Sequence, residues 1–182
     1  MAKKQEEVQK QPHEYFPPIG FTPAGPDSAT QQGTLLQFRQ SPLFTFAMAL
    51  LAEAIARRSD MVMLDFTRDA VSRRLFVDGF PYDLQPQDRQ TGDGMLGCLK
   101  KLANLNPAER RAKQEGKFAA ECLGGKYNVL FTSQGVPTGE RVVVKIAPKK
   151  FPFATLDDLG MRDKMRDQFK KLINEHQGMI IF

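Results

Sequence analysis

The stretch Arg141-Val142-Val143-Val144-Lys145-Ile146 constrains the fold of this chain more than any other. In an extended strand successive side chains point to opposite faces, so Val142, Val144 and Ile146 share one face and Arg141, Val143 and Lys145 the other. The strand therefore offers one apolar face to a core and points two cations outward together. Two further strands precede it. Phe118–Leu123 and Lys126–Ser133 flank Gly124-Gly125, which predicts a tight hairpin, and Gly135, Pro137 and Gly139 form a loop before the third strand. The three make a meander.

A similar reading extends upstream. Ser41-Pro42 predicts a helix start, with Ser as N-cap and Pro at the first helical position. Phe44, Ala47, Leu50, Leu51, Ala54, Ile55 and Arg58 then follow a helical stripe, ending near Arg57-Arg58, where cations suit the negative end of the helix dipole. Met61–Phe66 reads as a short strand followed by a turn at Thr67-Arg68-Asp69. Leu75-Phe76-Val77 runs into Asp78-Gly79, a strong hairpin signal, with Phe80–Leu84 returning and Pro81 favouring a sheet edge. A second helix is expected over Asp93–Asn104, with Met95, Leu96, Leu99 and Leu102 on one face. A charged connector, Glu109–Lys117, leads into the meander. Pro148–Pro152 reads as a linker, Arg162–His176 as a last helix, and Gly178-Met179-Ile180-Ile181-Phe182 as a closing strand. Met1–Gln40 is rich in Gln, Pro, Gly and Thr, lacks a sustained apolar period, and is expected to be a flexible arm. The class predicted is α+β, an antiparallel sheet with helices on one face.

Catalytic chemistry is sparse. His13 falls in the arm and His176 at the end of the last helix. No Gly-x-Ser-x-Gly elbow occurs, and no His/Cys/Asp/Glu group has metal-ligand spacing. Asp60, Asp65, Asp69 and Asp78 sit at turns and strand ends, where Asp commonly caps. The phosphate-cradling pattern G-x-x-x-x-G-K-[ST] is absent, and Gly125-Lys126 is followed by Tyr127. No metal or other cofactor is expected in these residues. No apolar run approaches the roughly 20 residues of a membrane-spanning helix, and the polar start lacks a secretory core. Cys98 and Cys122 are the two cysteines, expected to remain reduced, and the expected location is the cytoplasm.

Charge is the remaining lead. The net charge of +5 fits a nucleic acid, an anionic membrane surface, a phosphate ligand or plain solubility. The densest positive segment is Lys100-Lys101…Arg110-Arg111-Ala112-Lys113…Lys117, read either as a solvated connector or as an anion contact. Arg141 and Lys145 are read in the same two ways.

An ordered set of short segments resembles the region just before the motor core of the type II secretion and type IV pilus assembly ATPases. They are Ser59-Asp60, Val77-Asp78-Gly79, Leu102–Arg111, Gln114-Glu115-Gly116-Lys117, Gly124-Gly125-Lys126, Pro137–Val143, Leu156–Met161 and Gly178-Met179-Ile180-Ile181. The resemblance spans about Ser41 to Phe182. The arm, residues 1–40, lies outside it; the resemblance implies 41–147 as a PAS-like domain and 148–182 as a linker, helix and first strand of a RecA-like domain. The reading frame is then expected to continue into a phosphate-binding loop.

The resemblance further implies a non-catalytic domain that serves hexamer assembly and nucleotide-linked motion in protein secretion. ATP and Mg belong to the full-length family rather than to these residues. Implied partners are a RecA-like ATPase domain of the same or a neighbouring subunit, further copies in a hexamer, and inner-membrane secretion or pilus platform components, with a peripheral place at that membrane. Of the family's two basic positions, one falls on Lys145 and the other on Leu130, where the cation is lost. Arg141 accompanies Lys145 as an implied phosphate contact, and Arg74, Arg110, Arg111 and Lys117 are further basic candidates. Val62, Leu64 and Phe76 replace a His, a Glu and an Arg of the family. Two other readings stand beside this one. A stand-alone scaffold rests on those departures, and a basic nucleic-acid-binding domain rests on Lys100–Lys117.

Overall fold

A computed structural model describes residues 16–39, 41–150, 153–179 and 181. The chain divides into two compact units, 1–149 and 150–182. The first is built on a seven-stranded antiparallel sheet in the order β1-β5-β6-β7-β2-β3-β4. Its strands are β1 (Ile19–Thr22), β2 (Ser59–Phe66), β3 (Ala70–Val77), β4 (Phe80–Asp88), β5 (Gln114–Cys122), β6 (Gly125–Val136) and β7 (Gly139–Pro148). The helices are α1 (Ser28–Arg39), α2 (Phe44–Ala56) and α3 (Arg89–Leu102). The α+β class read from the pattern is the class observed.

The alternation along β7 is realised as expected: Val142, Val144 and Ile146 are buried, and Arg141 and Lys145 are exposed. The same inward face carries Val62, Leu64, Phe66, Leu75, Phe118, Val129 and Phe131. Ala47, Leu50, Leu51, Ala54 and Ile55 of α2 and Met95, Leu96, Leu99 and Leu102 of α3 join these residues in a single core. The opposite face is left to solvent.

Several boundaries differ from the reading, each for a local reason. The helix expected from Ser41-Pro42, α2, begins at Phe44 rather than at Pro42. The N-cap residue is Leu43, which makes no side-chain cap bond, and the Ser41 carbonyl accepts the Phe44 N–H at 3.1 Å in a turn. The helix stops where Arg58 takes a left-handed φ of 60°. The next helix, α3, begins four residues before Asp93. Asp88 caps it, its Oδ1 accepting the Thr91 N–H at 2.8 Å. Gly92 lets that first turn press on the sheet, since a Cβ there would lie 2.4 Å from Val71 Cγ2. At its far end Asn104 is left-handed (φ 56°). The Leu105 and Asn104 N–H groups donate back to the Lys100 and Lys101 carbonyls, a Schellman closure.

Asp78-Gly79 forms the expected hairpin, with φ 51° and 82°. Val77 pairs with Phe80, so the missing N–H of Pro81 falls on the outward rung of β4, which is an edge strand. The second tight turn is displaced by one residue. It uses Leu123-Gly124, and Gly125 opens β6 opposite Cys122. Tyr127 packs over that glycine, its ring atoms about where a Cβ would clash, at 2.9–3.1 Å.

Within the arm expected over residues 1–40, the described residues form a strand and a helix. Ile19–Thr22 pairs antiparallel with β5, Ile19 facing Cys122 and Thr22 facing Ala119, and α1 follows. Phe21 meets Phe44 and Phe118 edge to face at 5.7 and 5.9 Å. A strand of four residues with two apolar positions is too short to show as a period. What selects it is the unpaired edge of β5, nearly a hundred residues away. His13 lies outside the described residues.

The second unit holds a 3-10 turn, Leu156–Leu159, closed by reciprocal capping between Thr155 and Asp158, and α4 (Asp163–Ile173). The predicted last helix thus ends three residues before His176, which is exposed. No residue of α4 is buried, and Met165, Leu172 and Ile173 are all more than half exposed. The closing strand is not formed in the described residues. Gly178, Met179 and Ile181 belong to no element, and Ile180 and Phe182 lie outside the described set. A strand needs a neighbour for its N–H and C=O groups, and none is paired to these residues.

Candidate functional site

The solvent face of the sheet carries the charged residues singled out from the sequence, and strand register decides which of them act together. Lys117 of β5 stands directly opposite Leu130 of β6, and Leu130 stands opposite Lys145 of β7. The three form one row across the sheet, with neighbouring strands about 4.8 Å apart. Lys117, Leu130 and Lys145 line a groove of about 690 Å³. Pro23, Ala24, Gly25 and Gln31, from the turn between β1 and α1 and from α1 itself, form its other side, with Asn128 and Ala147 beyond. Gln31 is held there by donating through Nε2 to the Gly25 carbonyl at 3.3 Å. Neither Lys117 nor Lys145 forms an ion pair among the described residues.

The other predicted cations are already engaged. Arg141 lies on the same face, two same-side positions from Lys145 along β7, and its guanidinium grips its cross-strand neighbour Asp65 at 2.6 and 3.2 Å. That carboxylate pushes the Arg141 pKa up by hydrogen bonding and by charge. Arg74 donates to Asp83, its neighbour on β4, at 2.6 Å, with the same effect. Arg110, in the connector after α3, reaches back to Asp93 near the start of that helix at 2.9 Å. Arg111 stays exposed in the connector, which is fastened by its own carbonyl accepting the Gly135 N–H. Neither Arg110 nor Arg111 lines the groove. Lys145 and Lys117 thus line the groove, Arg141, Arg74 and Arg110 are paired with carboxylates, and Arg111 lies outside it.

The basic segment also loses its first member. Lys100 is wholly buried, its Nζ 2.5 Å from Glu140 Oε1, and it donates to the Glu109 carbonyl. Ser133 Oγ donates to the same Glu140 oxygen at 2.9 Å, while Arg110 Nε approaches Oε2 at 3.9 Å. Lys100 is thus a structural ion-pair partner rather than part of an anion-binding surface, and the nucleic-acid reading that rested on Lys100–Lys117 loses its continuity. Alternation contained a signal for this pair. Glu140 precedes Arg141, so it faces inward with Val142, and an inward charge requires a partner. Lys100, next to Leu99 and four residues after Leu96, falls on the inward stripe of α3.

Reactive groups elsewhere are withdrawn from solvent. Cys98 and Cys122 are free and buried, and burial raises both thiol pKa values. Among the described residues no group of three or more His, Cys, Asp or Glu side chains is placed to hold a metal ion. No helix among them is long and apolar enough to cross a membrane.

A one-sheet α+β module, helices on one face and two exposed lysines flanking Leu130 on the other, is what the fold and this face define. The chain belongs to the type II/IV secretion system protein family, whose model matches residues 37–182. It is similar to the type II secretion system ATPase E of Vibrio cholerae serotype O1, at 27 % identity over 141 residues, covering 78 % of this chain and 28 % of that protein. It is also similar to the protein transport protein HofB homolog of Escherichia coli K12, at 25 % identity over 159 residues, covering 86 % and 34 %. A third relative is the type IV pilus assembly ATPase PilB of Pseudomonas aeruginosa, at 24 % identity, covering 85 % and 28 %. The chain spans about a third or less of the length of these relatives.

Proposed function

We propose that this chain is the non-catalytic, PAS-like domain of a secretion or pilus assembly ATPase. In this reading it supports hexamer assembly and couples nucleotide state to domain motion, beside a RecA-like core of its own or a neighbouring subunit. The observation that carries the reading is Lys145: exposed, unpaired and lining a groove, on a face whose arginines are neutralised by Asp65 and Asp83. The groove and the Lys145 ammonium group beside it suit the phosphate end of a nucleotide, and ATP with Mg would supply the hydrolysable phosphoryl group. The residues of this chain contribute position and charge. A cation held on a rigid strand and brought to the outer phosphate favours negative charge developing there. A lysine does so as a point charge rather than as a planar fork. Loss of that phosphate removes the attraction and frees the domain, which converts hydrolysis into movement. The place of action is the cytoplasm, at the inner-membrane secretion or pilus platform.

The test uses the product of the natural reading frame that contains these residues. Lys145→Ala is expected to lower its ATPase kcat by about a hundredfold, the lower end of the range for losing one preorganised contact to the transition state, while gel filtration shows the assembly intact. An unchanged kcat would defeat the reading. A protein that self-associates and shows no response to ATP would instead be the stand-alone scaffold.

A further inference from the structure

The sheet ends on two edge strands, and only one of them is guarded. Edge β4 carries Pro81, Pro86 and the carboxylates of Asp83 and Asp88, which discourage a further strand. Edge β1 reads Ile19-Gly20-Phe21-Thr22, with neither proline nor charge. Its outer side has no strand partner among the described residues. Gly20, exposed at its middle, carries no side chain to hold another backbone away. Beside this edge, on the helix side of the sheet, runs an apolar groove in two compartments. The larger, about 410 Å³, lies among Phe21, Leu35, Phe44 and Thr45, and the smaller, about 170 Å³, among Phe16, Pro17, Ala49 and Ala52. Ile19 and Met48 belong to both, so the compartments adjoin and follow the chain from Phe21 back to Phe16. None of the lining residues is charged. Strand β1 and most of α1 precede residue 37, where the family match begins, so these two walls lie outside the matched region.

We propose that this groove takes an extended, uncharged segment of a partner protein, which pairs with β1 and adds a strand to the sheet. Residues two apart in a strand stand about 7 Å apart on one face, so alternate apolar side chains of the segment enter the two compartments. The lining requires those side chains to be uncharged, because a charge there would be buried unpaired. A second copy's β1 would cover the edge and leave the compartments empty, since its own Ile19 and Phe21 are already buried in their core. Lys145 lies on the other face of the sheet and plays no part in this contact.

Random heptapeptides displayed on phage and selected against the 182-residue chain test this. Enriched sequences are expected to carry apolar residues at alternate positions and no charge there. The enriched peptide, made synthetically, should shift the amide signals of Gly20, Thr22, Leu35 and Met48. Thr45→Arg, which places a cation at the larger compartment, should weaken binding by about tenfold, with its amide spectrum showing the fold intact. N-methylation along the peptide should weaken binding by about tenfold at alternate positions only, those whose N–H faces β1. That alternation belongs to strand pairing rather than to a purely apolar contact, and it needs no protein variant. No enrichment, shifts centred elsewhere, unchanged affinity in Thr45→Arg, or equal tolerance of N-methyl groups at every position overturns the proposal. Groove amides that shift with protein concentration alone would mean a second copy, and those that shift on removal of residues 1–15 would mean that the chain itself fills the groove; either result overturns it too.

Discussion

Lys100 and Glu140 are withdrawn from water almost completely, at 0 and 2 % side-chain exposure, and each is tolerable only because of the other. Their pairing joins the last turn of α3 to the start of β7, and Ser133 and the Glu109 carbonyl complete it. Removing one partner leaves an uncompensated buried charge, whereas removing both restores an apolar contact. Lys100→Met is therefore expected to lower unfolding free energy by about 3–5 kcal/mol, with Lys100→Met/Glu140→Leu recovering most of the loss. Urea denaturation of the wild type and the two variants measures this, and a double variant as weak as the single would show that the pair is not the cause. On the open face the same charges behave differently. Arg141 and Arg74 meet carboxylates across the strand in water, which contributes little stability but fixes which cations remain available.

At the scale of elements, caps and edges control where structure begins. The N-cap Asp88 joins β4 to α3, and its carboxyl pKa is lowered first by the Thr91 backbone N–H and then by the Gln87 side chain. A folded pKa below the unfolded one means that the contribution is full above the unfolded carboxylate value, about 3.9, and is lost as pH falls through the lower folded value. The gap in urea midpoint between wild type and Asp88→Ala should thus be constant from about pH 7 to pH 5 and narrow below about pH 4. A gap that persists unchanged in acid would show that the ionised cap is not responsible. Strand β1 illustrates the opposite control. Its four residues hold because Ile19 and Phe21 find an inward face, and Phe21 completes an aromatic cluster with Phe44 and Phe118.

For the whole molecule, the sheet order sets a gradient of stability. Strands β6 and β7 have neighbours on both sides and bury Val129, Phe131, Val142 and Val144, while β1 and β4 are edges. The helix α4 buries no residue, and an isolated eleven-residue helix is marginal in water. Hydrogen exchange should be slowest in β6 and β7, faster in β1 and β4, and fastest in α4, whose opening needs no global unfolding. Protection of α4 equal to that of β6 would contradict this and would mean that its apolar stripe, Met165, Leu172 and Ile173, is covered in solution.

Alternation and turn chemistry in the sequence were enough to determine the α+β class, the meander, both hairpins to within a residue, the edge position of Pro81 and the inward faces of α2, α3 and β7. Those features depend on interactions a few residues apart, which short patterns record. Tertiary structure alone decided the rest. Pairing of β1 with β5, the choice of Lys100 as the partner of the inward-facing Glu140, neutralisation of Arg141 by Asp65, and alignment of Lys117 with Lys145 all join residues from 28 to about 100 positions apart. Such contacts are chosen by strand register and by the cost of burying a charge unpaired, and neither leaves a mark on the local composition of the chain.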